Sequence, residues 1–192
     1  MNTIDFRTNL IYRWLLAAVT AYVIVHFMLW FVVTPTQVKG DSMKPNFSDG
    51  QYVIVDRWAY WFAKPKRGDV VVFRTSAGDY YIKRVIALPG ETVRVEGDHV
   101  YINGSLLREY YIEEEIQSHQ AAGGYNHLDY PETLVPAGHV FVMGDNRPNS
   151  VDSRSLSVGM VPYSRIVGRA DMIIWPYENM QFIHHGDVEV LP

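Results

Sequence analysis

The stretch YYIKRVIALPGETVRVEGDHVYING, residues 80–104, decides the fold. It holds three short runs rich in β-branched and aromatic residues, at positions 80–86, 92–95 and 100–102. Turn signals follow these runs: Leu88-Pro89-Gly90, Glu96-Gly97-Asp98 and Asn103-Gly104. The part VRVEGDHVYING therefore predicts a β-hairpin followed by a further turn.

The same pattern recurs through the chain after residue 34. The additional β-rich runs are Tyr52–Val55, Val70–Phe73, Val140–Met143 and Ile166–Trp175. No long helical pattern appears among them, so we predict a mainly β domain of antiparallel sheets. The segment Leu106–Pro136 has three consecutive glutamates, two adjacent glycines and little periodicity. We interpret it as an insertion or mobile loop of the same domain.

An uncharged apolar segment, WLLAAVTAYVIVHFMLWFVV, occupies residues 14–33. As a helix it would reach about 30 Å, the thickness of the hydrocarbon core of a bilayer. Trp14 and Trp30 lie near its ends, where aromatic residues favour the membrane interface. We predict one transmembrane α-helix, preceded by a short tail at residues 1–13 and followed by a domain at 34–192.

Two other interpretations of this segment are weaker. A cleavable signal peptide would have a shorter apolar core and would end in small residues, whereas this segment runs into VTPTQV. A buried helix of a water-soluble protein would normally carry a polar stripe. Lys and Arg are nearly balanced on the two sides of the segment, so charge alone leaves its orientation open.

Composition excludes several classes of function. The formal net charge is −4 and no basic run is present, which argues against a nucleic-acid partner. The absence of cysteine excludes disulfides, thiolate catalysis and cysteine-based zinc sites. The pairs His184/His185 and His119/His127 lack metal-ligand spacing, so we expect neither a metal nor a cofactor. Glu113–Glu115 is interpreted as a solvated loop.

The first segment whose residues can take part in catalysis is GDSMKP, residues 40–45. A serine between a flexible glycine and a rigid proline can be held in an exposed turn. Backbone N–H groups in such a turn can face a developing oxyanion. Taken alone the signal is weak, because serine before a proline turn is common in loops.

The second segment is the predicted strand that contains Lys83. Strand alternation places Tyr81, Lys83 and Val85 on one face. Burial of that face would lower the lysine pKa from about 10.4 toward neutrality, and a neutral amine can accept a serine proton. The alternative is a lysine whose stem packs while its ammonium reaches water, and this strand by itself favours that alternative.

The third segment is MGDNRPNSVDSR, residues 143–154. Its clustered aspartates, arginines and serines predict a loop held by ion pairs and hydrogen bonds. Most of these side chains are expected to be structural. Ser150 is the exception, as a hydroxyl that can orient the lysine amine.

In order and content, these segments together resemble the bacterial type I signal peptidases. SMKP (42–45) resembles the nucleophile box of the family, and GDVVVF (68–73) resembles its following strand. YIKRVIALPGE (81–91) resembles the lysine box and GDNRPNSVDSR (144–154) the last box. The small size and single span resemble the Gram-positive form. The resemblance implies the antiparallel fold shared with the SOS repressors, and a membrane-bound serine endopeptidase that removes signal peptides from exported preproteins.

The resemblance also assigns roles to individual positions. It implies Ser42 as nucleophile, Lys83 as general base and Ser150 as the serine that hydrogen-bonds the lysine. The backbone N–H groups of Ser42 and Gly40 would form the oxyanion hole. Structural support would come from two ion pairs and an apolar cluster, formed by Arg84 with Asp145, Asp152 with Arg154, and Phe73, Tyr81 and Val142.

Substrates and location follow from the same resemblance. It implies preproteins with small residues at the −1 and −3 positions, membrane lipid as a further partner, and a catalytic domain on the extracytoplasmic side of the plasma membrane. Trp58, Tyr60, Trp61 and Phe62 are interpreted either as an interfacial patch or as partly buried core. Asn46 departs from the family's usual threonine, and Ala87 from its usual glycine.

Two alternatives stay open at this stage. One is a self-cleaving SOS repressor or a relative on the same fold, but those proteins carry a DNA-binding N-terminus or a cleavable arm. The other is a catalytically weak homologue that binds signal peptides without efficient cleavage. The presence of both Ser42 and Lys83 argues against it.

Overall fold

The computed structural model describes the backbone of residues 3–192 and the side chains of residues 9–27 and 34–192. The α-helices in this part are α1 (Thr3–Val32) and α2 (Glu113–His119). The strands are β1 (Val33–Gln37), β2 (Tyr52–Asp56), β3 (Val70–Arg74), β4 (Tyr80–Ala87), β5 (Thr92–Glu96), β6 (His99–Ile102), β7 (Ser105–Glu109), β8 (Tyr130–Leu134), β9 (His139–Met143), β10 (Val161–Pro162), β11 (Ile166–Trp175), β12 (Gln181–Phe182) and β13 (Val188–Val190).

Helix α1 covers most of the predicted membrane anchor and begins earlier than predicted. Residues 3–13, predicted as a separate tail, belong to the same helix, because extending a helix is far easier than starting one. The helix ends at Val32, shortly before Pro35, whose ring disfavours helical geometry at the preceding residue. Residues 1–2 and the side chains of 1–8 and 28–33, including the predicted interface residue Trp30, lie outside the described residues.

The described part of α1 has the character of a membrane helix. The window Asn9–Phe27 is long and apolar enough to cross a membrane, and none of it is buried inside the protein. Large apolar side chains such as Trp14 and Val19 are more than half exposed. A helix that is apolar on all sides and uncovered by protein is typical of a lipid environment.

Residues 35–192 form one compact unit that contains two sheets. In the described residues the larger sheet has the order β1-β2-β11-β3-β4-β9-β10, with β12 paired to β11. Each strand predicted from the sequence is present, with bounds within one residue of the prediction. The pairings β2–β11, β11–β3, β3–β4 and β4–β9 are antiparallel. The predicted mainly β, antiparallel fold is therefore confirmed.

The smaller sheet has the order β13-β7-β6-β5-β8 and contains the predicted hairpin. Strands β5 and β6 are joined by the two-residue turn Gly97-Asp98. Strands β6 and β7 are joined by Asn103-Gly104, with φ of 51° and 82°. Positive φ at both central residues is what a type I′ hairpin turn requires, and Asn-Gly tolerates it.

The segment Leu106–Pro136 is more regular than the predicted loop. It contains most of β7 and all of β8, which pair with β6 and β5 in the smaller sheet. The pairing of β8 is non-local, so no periodic signal in the segment itself revealed it. Glu113–Glu115 form the first turn of α2 rather than a loop, because carboxylates stabilise a helix N-terminus.

Strand β4 lies inside the core of this unit. It contributes Ile82 to one buried apolar cluster, Ile86 and Ala87 to a second and Val85 to a third. Both faces of the strand are covered from residue 82 onward. Neither face of the strand is therefore exposed to solvent from residue 82 onward, and the side chain of Lys83 is buried as well.

Candidate active site

Ser42 lies in a tight loop between β1 and β2. The loop is anchored by Met43 and Phe47, which are 1% and 2% exposed. The N–H of Phe47 donates to the carbonyl of Met43 at 2.9 Å. Two buried side chains and a closed turn thus hold a half-buried serine at the edge of the core.

Lys83 reaches Ser42 from strand β4, which β11 and β3 separate from β2 in the sheet. The two atoms that would exchange a proton, Lys83 Nζ and Ser42 Oγ, are 2.5 Å apart. Nζ also donates to the carbonyl of Ile82 at 3.0 Å. The fold therefore brings together two predicted site residues that are 41 positions apart in the sequence.

The environment of Lys83 favours the neutral amine. The side chain is 3% exposed, and burial lowers its pKa to about 8, although the carboxylates of Asp152 and Asp145 act in the opposite direction. Burial dominates because an ammonium loses its hydration there. The alternative of a snorkelling lysine, favoured by the strand pattern alone, is wrong. A substantial neutral fraction is therefore available near physiological pH.

Aromatic and aliphatic side chains pack beside the amine. The rings of Phe73 and Tyr81 meet edge to face with centroids 6.2 Å apart. Lys83 Nζ lies 5.3 Å from the centroid of Tyr81. Val142 is fully buried and pairs with Val85 across β9 and β4. The three predicted packing residues thus occur in the buried surroundings of this strand.

Arg84 and Asp145 form a buried ion pair beside the lysine. Arg84 Nε and Nη2 donate to the two carboxylate oxygens of Asp145 at 3.0 and 2.8 Å. The side chains are 3% and 0% exposed. Such a two-point contact fixes the relative orientation of β4 and the loop that follows β9.

Asp152 and Arg154 form the second predicted pair. Arg154 Nε and Nη2 donate to Asp152 at 2.8 and 2.7 Å, and the N–H of Gly144 donates to the same carboxylate at 3.0 Å. Burial opposes ionisation of Asp152, but these donors outweigh it and lower its pKa below the usual value. The carboxylate is therefore a fixed negative charge that organises residues 144–154.

Ser150 is not bonded to the lysine. The described hydrogen bonds of Lys83 Nζ go to Ser42 and Ile82, so the predicted Ser150–Lys83 bond is not formed. Ser150 Oγ is buried and forms no hydrogen bond of standard geometry in the described residues, but it lies close enough to Asp152 to help lower the pKa of that carboxyl. It packs against Gly144, where an added Cβ would overlap both Ser150 Oγ and the carbonyl oxygen of Ser42. Only glycine leaves room for this contact.

The predicted oxyanion donor at Gly40 is already occupied. Its backbone N–H donates to Asp49 Oδ1 at 2.7 Å, which closes the loop before Ser42. Gly40 has φ of 81°, a conformation that glycine adopts without strain. The Ser42 N–H, by contrast, has no acceptor in the described part of the chain. Of the two predicted backbone donors, the N–H of Gly40 is therefore engaged and that of Ser42 is free in the described residues, and the oxyanion hole stays a prediction.

Glu109, Tyr111 and Arg147 support the site, although the sequence motifs assigned them no role. A buried ion pair joins Arg147 to Glu109, and both side chains are 2% exposed. Tyr111 stacks under Arg84, with 4.0 Å from its ring centroid to Arg84 Cζ. Asn46 donates to Asp145 Oδ2 at 2.9 Å. Glu109 and Tyr111 come from the segment interpreted as an insertion, and no local pattern marks them.

The aromatic residues at positions 58–62 divide into two pairs. Trp61 and Phe62 are 70% and 91% exposed, as expected for an interfacial patch. Tyr60 is half-buried and its hydroxyl donates to Asp69 at 2.8 Å, while Trp58 stacks on Trp61. Each of the two interpretations thus describes part of the group.

His185 has a structural position. Its Nδ1 accepts a hydrogen bond from the backbone N–H of Val70 at 3.3 Å, and its Nε2 lies 3.4 Å from Asp171. In the described part of the chain, no group of three or more histidine, aspartate or glutamate side chains is arranged to hold a metal ion.

Comparisons with known proteins agree with the motifs. The sequence model of the family described as "Signal peptidase, peptidase S26" matches residues 11–175. The chain is 35% identical to Signal peptidase I T of Bacillus subtilis (strain 168), covering 94% of this chain and 93% of that protein. It is 33% identical to Signal peptidase IB of Staphylococcus aureus (strain MRSA252), over 88% of this chain and 92% of that protein.

A solved structure is also similar. A signal peptidase I from Enterococcus faecalis V583 is 37% identical, with a TM-score of 0.49, and the match covers 56% of this chain and 97% of that chain. The family predicted from the motifs is confirmed by the family match and the curated relatives. The chain belongs to the signal peptidase family of serine endopeptidases, peptidase S26.

Proposed function

We propose that this protein cleaves signal peptides from exported preproteins through a Ser42/Lys83 dyad. The observation that carries the proposal is the 2.5 Å separation of Ser42 Oγ and Lys83 Nζ, with the amine enclosed in the core. A serine hydroxyl is a weak nucleophile until a neighbouring base accepts its proton. An amine that is partly neutral at physiological pH is such a base.

The reaction proceeds by acyl transfer. Neutral Lys83 accepts the Ser42 proton as Oγ bonds to the scissile carbonyl carbon, and the Ser42 N–H donates to the resulting oxyanion. The Lys83 ammonium then protonates the departing amine, and the peptide C–N bond breaks. A water molecule, deprotonated by Lys83, attacks the ester and releases the carboxylate product and free Ser42.

Ser150 is proposed to act on the protonated lysine. Its buried hydroxyl has no partner of standard geometry, so it is available as an acceptor once Nζ carries a third proton. Asp152 and Arg154 would hold the loop that presents it. Arg84 and Asp145 would keep Lys83 in register with Ser42, because Arg84 follows the lysine directly in β4.

Substrate and location follow from family membership and from helix α1. We infer that substrates carry small residues at the −1 and −3 positions, as the family resemblance implies. Helix α1 would span the plasma membrane once, with residues 34–192 on the extracytoplasmic side. A membrane-inserted substrate and a tethered enzyme share a thin layer, which raises their effective concentration. Trp61 and Phe62 are proposed to insert at the lipid interface.

The proposal is tested by substitution of the dyad. We expect Ser42→Ala and Lys83→Ala, in the full-length protein in detergent micelles, each to lower the rate of preprotein cleavage by roughly three orders of magnitude or more. The matched controls are Ser48→Ala and Lys64→Ala, because both residues are exposed. The measurement is appearance of the mature protein by mass spectrometry. Cleavage that survives either dyad substitution contradicts the mechanism, and an inactive wild type would indicate a binding-only homologue.

A further inference from the structure

Asn46 connects the serine loop to two other parts of the site. It follows Ser42 by four positions and is half-buried. Its side-chain amide donates to Asp145 Oδ2 at 2.9 Å and to the backbone carbonyl of Tyr111 at 3.1 Å. One acceptor belongs to the loop after β9, and the other to a 3₁₀ turn in the segment interpreted as an insertion. No other side chain in the described residues forms hydrogen bonds with all three regions.

Both acceptors are themselves fixed. Asp145 is held by the two-point contact with Arg84, the residue next to the lysine. Tyr111 is half-buried: its ring lies under Arg84, and its hydroxyl donates to Glu109 at 2.5 Å and accepts from Arg147 at 2.8 Å. A donor bound to two fixed acceptors has little freedom to move, so Asn46 restrains the loop to which it belongs.

The other hydrogen bonds between this loop and the loop after β9 lie at its beginning. Asn146 donates from its backbone N–H to the carbonyl of Ser42 at 3.1 Å and from its side chain to the carbonyl of Asp41 at 2.9 Å. These contacts hold the chain at the serine and before it. Asn46 is the polar contact that holds it after the serine, so the nucleophile is clamped from both sides.

We propose that Asn46 is a positioning residue for the dyad, which holds the serine loop against Asp145 and Tyr111 and thereby fixes Ser42 relative to Lys83. This inference rests on the proposed function of the dyad. An asparagine amide has two N–H donors, one for each acceptor. A threonine hydroxyl has a single donor and serves only one of them. An aspartate has none and places a second carboxylate against Asp145.

The clamp also acts on the charge near the lysine. The Asn46 amide partly compensates the Asp145 carboxylate, and that carboxylate favours the protonated form of Lys83. The other charged groups that act on the amine are Asp152 and Arg154 of the 144–154 loop. Loss of the amide leaves more of the Asp145 charge uncompensated. The pKa of Lys83 should then rise, so a larger share of the amine is protonated at neutral pH.

The test compares Asn46→Ala, Asn46→Thr and Asn46→Asp in the full-length protein in detergent micelles. We expect kcat to fall about 10- to 100-fold in Asn46→Ala, less in Asn46→Thr and most in Asn46→Asp, with KM nearly unchanged. The acid limb of kcat/KM in Asn46→Ala should move to higher pH by about half a unit or more. Asn179→Ala is the matched control, because Asn179 is an exposed asparagine outside the site.

The outcomes separate this inference from the proposed function. Wild-type cleavage that is lost in Ser42→Ala establishes the dyad, whatever Asn46 does. Given that result, an Asn46→Ala enzyme with wild-type kcat and an unmoved acid limb overturns the inference. The inference is also overturned if the loss of activity matches a loss of folded protein, measured by near-UV circular dichroism, and the acid limb of kcat/KM does not move. A lower kcat with a shifted limb and intact folding supports it.

Discussion

At the scale of single residues, the proposed mechanism depends on removing the charge from one lysine. Lys83 lies within a strand that is buried on both faces, and this burial lowers its pKa to about 8 despite two nearby carboxylates. The apolar cluster of this strand, which includes Phe73, Val85 and Val142, offers an ammonium no hydrogen bonds in place of its lost hydration. The same packing holds Nζ within reach of Ser42.

The pH dependence of activity follows from this pKa. Because only the neutral amine accepts the Ser42 proton, kcat/KM should rise with pH and reach half of its maximum near pH 8. Below that pH the neutral fraction, and with it the rate, should fall about tenfold per unit. Initial rates of peptide cleavage, measured from about pH 6 to about pH 10, check this predicted pH dependence. A limb centred near the usual lysine value of about 10.4 would show that the amine is solvated.

At the scale of elements, two buried ion pairs join the loop after β9 to other strands, and a third lies within the loop. Arg84 connects it to β4, Glu109 connects it to β7, and the pair of Asp152 and Arg154 closes the loop on itself. Each partner leaves water on folding and is stabilised only while the other is present. The smaller sheet therefore contributes directly to the geometry of the site through Glu109.

Removal of one member of such a pair should be costly. Glu109→Gln leaves the Arg147 guanidinium buried without a counter-charge, and we expect a loss of about 3–5 kcal/mol in the free energy of unfolding. Unfolding in urea, followed by near-UV circular dichroism in detergent, measures the change. Glu113→Gln is the matched control, because its pair with Arg108 is exposed, and its stability should stay close to that of the wild type. Equal stabilities for the two variants would contradict the buried-pair argument.

At the scale of the whole molecule, the chain consists of an apolar helix and a β unit with its own core. The unit at residues 35–192 contains all three buried apolar clusters. Its fold therefore does not need the helix for hydrophobic stabilisation. The helix, in turn, has no protein cover in its window Asn9–Phe27, as the proposed membrane span requires.

This division predicts the behaviour of a truncated protein. A fragment of residues 33–192, which keeps β1 complete, should fold, stay soluble and cleave a short signal peptide substrate within about tenfold of the full-length rate. Its rate on a preprotein inserted in vesicles should fall by about 10²-fold or more, because the tether no longer concentrates enzyme and substrate. Vesicle flotation and cleavage assays measure both effects. Equal rates of the two proteins on the inserted preprotein would contradict a role for the anchor.

Local physics explains what the sequence determined by itself. Strands β2 to β6 were predictable because alternating apolar runs and turn residues such as Asn103-Gly104 act over a few positions. The anchor was predictable because bilayer thickness sets a helix length. The identities of Ser42 and Lys83 followed from short motifs in a recognisable order. These features depend on neighbours along the chain.

The tertiary structure decided the rest, because it depends on residues distant in sequence. The Lys83 pattern alone favoured a snorkelling side chain, and only the covering of both faces of β4 buries the amine. The N–H of Gly40, a predicted oxyanion donor, donates to Asp49, which lies nine positions further along the chain. Asn46 looked like a minor departure until the fold placed Asp145 and Tyr111 within reach of its amide. The charge of Lys83 and the hydrogen bonds of Gly40 and Asn46 depend on neighbours that are distant in sequence, and only folding brings these neighbours together.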